Sequence, residues 1–226
     1  MPLSNRQYKD AIYHQLARLG KAVAGATRLE LLDLLCQGPR TVESLARQAG
    51  QSVANTSKNL RLLHDARLVE TERHGTYVTY RLAGDEVCDL FRTLRTLAEL
   101  RLAEVEVITR DFLESREILE PIDRGELIRR VRDGQAVLLD VRPREEYESG
   151  HIAGALSAPI SELEDFLDKL PRDQQIVAYC RGPYCVMSID AVLLLRERGF
   201  DTVRLTDGVP DWRARGLDVE SSGAAR

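Results

Sequence analysis

The sequence predicts two domains: a mainly α-helical one closed by a β-hairpin, then an α/β one with a mainly parallel sheet. Three observations predict this. The first third runs through short, capped segments of helical period and ends in two strand-like runs around a turn. A long helical pattern over residues 86–119 follows and stops at Glu120-Pro121. The remainder alternates short apolar runs with helical segments, the pattern of a sheet built by helical crossovers. A chain of 226 residues is long enough for two modest cores. The expected boundaries are 1–114, a linker at 115–123, a second domain at 124–220, and a disordered tail at 221–226 that reads Ser-Ser-Gly-Ala-Ala-Arg.

Each element follows from local signals. Residues 8–23 place Ile12, Leu16, Leu19 and Val23 at helical spacing. A second helix begins near Thr27, carries Leu29, Leu31, Leu32, Leu34 and Leu35, and is stopped by Gly38-Pro39. Thr41 caps a short helix over 42–48 that Gly50 closes, and Ser52 caps another over 53–65. Residues 69–72 and 77–82 form two strands around Arg73-His74-Gly75-Thr76, a hairpin signal. The 86–119 pattern, with Leu90, Leu94, Leu97, Leu100, Leu102, Val105, Ile108 and Phe112, is too long for an ordinary surface helix and suits dimerisation. Beyond it, strands are expected at 137–139, 155–156, 176–178 and 203–205, with helices at 125–132, 161–170, 186–198 and 209–215.

Composition narrows the function classes. Charged residues make up 30% and hydrophobic ones 43%, ordinary values for a soluble globular chain. No apolar run approaches the roughly 20 residues that span a bilayer, and the first residues lack a signal-peptide core, so a cytoplasmic chain without membrane partners is expected. Four unevenly spaced cysteines suit reactive or core thiols rather than a disulfide framework. The net charge of −4 is uneven: residues 1–83 carry 12 Lys/Arg against 7 Asp/Glu, and the rest 20 against 29. Only the first part is expected to meet a polyanion.

Two short helices with a tight turn, then a hairpin, describe a winged helix-turn-helix. The helix after Ser52 is expected to expose Asn55, Thr56, Ser57, Lys58, Asn59 and Arg61, with Val53, Leu60, Leu62 and Leu63 toward the core. Such side chains suit base edges and phosphates of the DNA major groove. Arg73 and His74 at the hairpin tip suit the neighbouring minor groove or backbone. The stretches 27–32, 41–50 and 57–69 resemble the ArsR/SmtB family of repressors, over about residues 8–112. The resemblance implies a homodimer on a double-stranded operator. Arg67 stands where that family usually has glycine; a left-handed non-glycine costs about 1 kcal/mol, so a slightly different turn is expected. The family's metal sites do not carry over: residues 42–48 hold no cysteine, and the last helix no histidine. No metal or cofactor is expected. Cys36 and Cys88 read best as small core or boundary residues; some sulfur-sensing relatives pair two cysteines on the second and last helices, a placement these two do not obviously match.

In the acidic part, Cys180-Arg181-Gly182-Pro183-Tyr184-Cys185 follows an apolar strand and opens a helix at Val186. Backbone N–H groups of such a loop and the helix N-terminus favour an anion there, so a thiolate at Cys180 should be reactive. With residues 138–155 and Asp207-Gly208-Val209-Pro210-Asp211-Trp212, the loop resembles a rhodanese domain over about residues 122–220. Asp207 replaces the first of that family's usual two glycines. The resemblance implies a sulfurtransferase in which Cys180 attacks a sulfane-sulfur donor such as thiosulfate or a persulfide. The N–H groups from Arg181 to Val186 would steady the anion, Arg181 would offer a mobile cation, Gly182 and Pro183 would shape the turn, and Tyr184 would gate access.

Phosphatases and arsenate reductases of this fold use a longer loop ending in arginine; here Val186 follows six residues, which suits sulfur rather than an oxyanion. Cys185 either resolves a Cys180 persulfide into a disulfide or packs beneath the loop. Asp140 and His151 are expected to be scaffold, Asp140 holding Arg142 or a loop backbone. Three readings remain open: a regulator whose DNA affinity follows sulfur captured at Cys180, a sulfurtransferase with an uncoupled DNA tether, and an oxidant sensor through a Cys180–Cys185 disulfide.

Overall fold

A computed structural model describes residues 3–74, 77–118 and 124–221. The chain forms two compact units, 1–94 and 95–226. The expected linker at 115–123 lies partly outside the described residues, as does the tail from 222 onward.

The first unit opens with helix α1 (Asn5–Val23), capped by Ser4: its hydroxyl accepts from the Gln7 N–H, and the Gln7 side chain accepts from the Ser4 N–H. Helix α2 (Ala26–Cys36), strand β1 (Arg40–Thr41), helix α3 (Val42–Gln48) and helix α4 (Val53–Asp65) follow. Thr41 and Ser52 cap α3 and α4 through their hydroxyls, as the sequence predicts. Strands β2 (Val69–His74) and β3 (Tyr77–Leu82) form the hairpin, and β1 adds to β3, giving the antiparallel order β1-β3-β2. Leu31, Leu32, Leu45, Leu60, Leu63 and Val69 are the centre of its core.

Arg67 keeps the turn rather than altering it. Its φ of 62° places it in the left-handed region, so the expected change of turn does not occur. The Arg67 and Leu68 N–H groups cap α4 by bonding the carbonyls of His64 and Leu63.

The expected single helix over 86–119 is two helices, α5 (Asp85–Arg101) and α6 (Ala103–Glu114). Leu102 is extended, with φ −111° and ψ 98°. No proline or glycine causes the break. Leu113 and Ile118 instead bury against Ile189, with Phe112 and Leu193 beside them, so packing redirects a chain whose periodicity is continuous.

The second unit continues with α7 (Arg124–Arg132), β4 (Ala136–Asp140), α8 (Arg144–Ser149), β5 (His151–Ile152), β6 (Leu156–Ser157), α9 (Leu163–Phe166), β7 (Gln175–Tyr179), α10 (Met187–Glu197), β8 (Thr202–Arg204), α11 (Val209–Ala214) and β9 (Val219–Glu220). The helix expected over 161–170 is a short α9 flanked by 3₁₀ turns. β5 and β9, which the sequence reading did not include, pair antiparallel.

The main sheet has the order β6-β4-β7-β8 and is parallel throughout. Because side chains alternate along a strand, β7 sends Ile176 and Ala178 to one face and Val177 and Tyr179 to the other. Cys180 continues the first series, on the side packed by Ala191, Val192 and Leu195 of α10. Strand parity alone therefore aims its sulfur at the start of that helix.

Candidate functional site

The loop between β7 and α10 sits at the carboxyl end of a parallel strand, where α/β folds place their ligands. Cys180 is 1% exposed. Its Sγ lies 3.1 Å from Ser188 Oγ and 3.5 Å from the Cys185 carbonyl oxygen. Burial pushes the Cys180 thiol up. Hydrogen bonds from the Cys185 thiol, the Ser188 hydroxyl and the Ser188 N–H outweigh it, with the charge of Arg204, and bring the pKa down to about 7 from 9.0. Cys185 is pushed the other way, first by its hydrogen bond to Cys180 and then by burial. The opposite shifts divide the pair's roles, favouring the thiolate at Cys180 and the proton-bearing thiol at Cys185. Neither is in a disulfide.

The rest of the loop is fixed from several elements. The Cys185 N–H bonds the Gly182 carbonyl at 3.2 Å. Arg204, at the end of β8, donates to the Pro183 carbonyl. Gly208 lies so close that a Cβ there would stand 1.9 Å from the Arg181 carbonyl oxygen, so only glycine fits. Tyr184 and Val186 are each 48% exposed and form the loop's outer surface. Tyr184 donates its hydroxyl to Glu99 Oε1 at 2.9 Å; burial, then that bond, pushes its pKa up to about 12.

Arg181 is not the mobile cation expected. Its guanidinium forms a forked pair with Glu146, with Nη2 2.6 Å and Nε 3.1 Å from the carboxylate oxygens, and Glu146 is fully buried. A buried carboxylate holds its cation far more firmly than a solvated one. Held in that pair, Arg181 still couples by charge to both Cys180 and Cys185, and Arg204 adds a second positive charge that lowers the Cys180 pKa. Arg204 and Ser188 were both missed by sequence reasoning. A signal for Arg204 existed: it is a lone charge inside the apolar run Val203-Arg204-Leu205.

Asp140 and His151 stand apart from the sulfur. Asp140 accepts from Arg142 Nε at 2.9 Å, Arg142 Nη2 at 2.6 Å and the Tyr179 hydroxyl at 2.6 Å, and all three residues are buried. Arg142 also donates to the Gly150 carbonyl at 2.7 Å, and the Tyr179 hydroxyl accepts the Ile152 N–H. This network ties β4, β7 and β5 together and leaves Asp140 no free oxygen for proton transfer to the loop. His151 stacks on Tyr147, with ring centroids 3.7 Å apart, and its Nδ1 is 2.8 Å from the Tyr147 carbonyl.

In the first unit, α4 presents a narrower polar face than expected. Lys58 and Arg61 are exposed, and Asn55 and Ser57 are half-buried. Thr56 is fully buried, and Asn59, 9% exposed, bonds Arg28 and the Asn55 carbonyl, at 3.2 and 3.0 Å. Thr56, Asn59, Leu60 and Leu63 share one face at the helical repeat. Conversely, Val53 and Leu62 are 47% and 44% exposed, not core. Arg73 is exposed on β2; the side chain of His74 lies outside the described residues. Cys36, at the end of α2, and Cys88, in α5, form a disulfide, with Cα atoms 5.6 Å apart. This corrects the expectation that they are separate small core or boundary residues; the sequence separation of 52 hid a contact made by the fold.

Among the described residues there is no cluster of three or more potential metal ligands, and no helix is long and apolar enough to cross a membrane.

Residues 25–71 match "Bacterial regulatory protein, arsR family", and residues 123–215 match "Rhodanese-like domain". The HTH-type transcriptional regulator Rv0324 of Mycobacterium tuberculosis is 48% identical over 212 residues, covering 94% of this chain and 93% of that protein. The thiosulfate sulfurtransferase GlpE of Coxiella burnetii is 31% identical over 85 residues, 37% of this chain and 78% of that enzyme. Among solved structures, the homodimeric winged helix-turn-helix DNA-binding domain of a possible ArsR-family regulator from Mycobacterium bovis is 42% identical. It covers 45% of this chain and 93% of its own, with a TM-score of 0.42.

Proposed function

We propose, from the premise that this chain belongs to the family of ArsR-type regulators with a C-terminal rhodanese domain, that it is a DNA-binding regulator that takes up sulfane sulfur on Cys180. The observation that carries the reading is the setting of Cys180: buried at the end of β7, with Sγ 3.1 Å from Ser188 Oγ and its pKa lowered by the donors around it. The DNA reader on the same chain gives that chemistry an output, and its partner is a double-stranded operator. Large apolar residues exposed on α1, among them Ile12, Leu16 and Leu19, suit a homodimer.

In the reaction, the Cys180 thiolate attacks the outer sulfur of thiosulfate. The sulfur–sulfur bond of the donor breaks, sulfite leaves with the electron pair, and Cys180 carries a persulfide. Ser188 and Cys185 hold the anion before and after this step. An open pocket of about 590 Å³, lined in part by Pro183, Tyr184, Arg110 and Leu113, adjoins the outer side of the loop, and neither Cys180 nor Cys185 lines it.

A second reading is favoured by the Cys185–Cys180 hydrogen bond. Once Cys180 bears a persulfide, the Cys185 thiol can lose its proton and attack the inner sulfur, forming a Cys180–Cys185 disulfide and releasing hydrosulfide. Mass spectrometry of the intact chain after thiosulfate or polysulfide treatment separates these outcomes. One added sulfur atom on the Cys180 peptide, absent from Cys180→Ser, is expected. Loss of two hydrogens across Cys180 and Cys185 would favour the disulfide, and an unmodified Cys180 would overturn both.

A further inference from the structure

Arg95 and Glu99 are on α5, outside residues 123–215, yet both reach the sulfur loop, and the compact unit that holds the loop begins at Arg95. The Arg95 guanidinium pairs with Asp211 Oδ1; the two side chains are 13% and 4% exposed. The other oxygen, Asp211 Oδ2, accepts the Gly208 N–H at 3.1 Å. Gly208 in turn presses on the Arg181 carbonyl, with no space for a Cβ between them. Arg95 also covers Gly182: a Cβ there would lie 3.3 Å from Arg95 Nη1. One helical turn on, Glu99 accepts the Tyr184 hydroxyl at 2.9 Å and stands 3.8 Å from Arg95 Nε.

We infer that Arg95 and Glu99 are positioning residues for the Cys180 loop, supplied by a helix outside the matched rhodanese segment. The inference rests on the sulfur-uptake reading of Cys180. Arg95 neutralises a buried carboxylate whose second oxygen sets Gly208 against the loop backbone, and Glu99 holds the loop's outermost residue. Neither touches the sulfur. Removing Arg95 takes a charge-assisted bond from the buried Asp211 carboxylate, so Gly208 and the Arg181 carbonyl shift and the donors around Sγ lose their alignment. The same helix starts in the first unit, where Cys88 is bonded to Cys36.

The test uses the full chain and two readouts: thiosulfate-to-cyanide transfer, and the pH profile of Cys180 alkylation by iodoacetamide. Arg95→Gln is expected to lower kcat roughly tenfold, well short of the ~100-fold that a 1 Å misplacement costs. KM for thiosulfate should change little, and the alkylation midpoint should move upward. Arg95→Lys should restore most of the loss, which a generic folding defect would not allow. Glu99→Gln and Tyr184→Phe, both at exposed positions, should each give a smaller loss in the same direction and serve if Arg95→Gln does not fold. Wild-type kcat and an unmoved alkylation midpoint in Arg95→Gln and Glu99→Gln would overturn the inference. Transfer that survives in Cys180→Ser would instead overturn the sulfur-uptake reading, while the alkylation midpoints would still report whether α5 positions the loop.

Discussion

At the scale of single residues, the chemistry reduces to one sulfur held between opposing influences. Burial alone would raise the Cys180 pKa; donors from Cys185 and Ser188 and the charge of Arg204 reverse that. The thiolate is the reactive form, so its reaction with iodoacetamide should rise with pH, reach half its maximum near pH 7 and level off by about pH 8. Cys185→Ala removes a donor to the thiolate and should move the midpoint up by on the order of one unit; Cys185→Ser keeps an O–H donor and should move it less. A midpoint left near 7 in Cys185→Ala would show that the second thiol does not hold the first. The loop itself was legible in the sequence because its six residues are contiguous. Ser188 lies just beyond it, and Arg204 arrives through the parallel pairing of β7 with β8, where Ala178 stands opposite Arg204. A linear reading sees residue types and spacing; it does not see which strand lies next door.

At the scale of elements, polarity misled where periodicity would have served. Thr56 and Asn59 are polar, which by residue type puts them on the outer face of α4, but Thr56 stands three and four residues before Asn59 and Leu60, and Asn59 four before Leu63, along the buried stripe. Lys58 and Arg61 carry the exposed charge. Lys58→Ala is expected to weaken operator binding on every sequence alike and to lower the salt slope by about one, as the loss of one phosphate contact does. Thr56→Val, buried and similar in shape, should leave affinity unchanged. Titrations of labelled operator at several salt concentrations distinguish the two, and a larger loss in Thr56→Val would return that residue to the interface. Secondary structure was read well where caps and breakers mark the ends, as at Thr41, Ser52 and the loop before α10. It was misread at Leu102, because a helix that turns to bury Leu113 and Ile118 carries no local signal of the turn.

At the scale of the whole molecule, a second sulfur pair adds to the first. The Cys36–Cys88 disulfide closes a loop with a sequence separation of 52, which by chain entropy is worth about 4 kcal/mol in the unfolded state. Cys88→Ser should therefore lower denaturant stability of the first unit by roughly 2–4 kcal/mol without reductant and leave it unchanged once dithiothreitol is present. Equal stability of both proteins under oxidising conditions would show that the bond contributes nothing. The chain thus carries one sulfur site in each unit, and α5 includes residues of both: Cys88, and the Arg95 and Glu99 that meet the Cys180 loop.

If the regulator reading holds, sulfur on Cys180 changes DNA binding. The most direct measurement is operator affinity of the full chain at fixed salt, with and without a polysulfide, for wild type and Cys180→Ser. A shift of about 5- to 150-fold is expected in wild type, the usual range of coupling between two sites, and none in Cys180→Ser. An affinity that does not move in wild type, with Cys180 shown to carry its added sulfur, would contradict it.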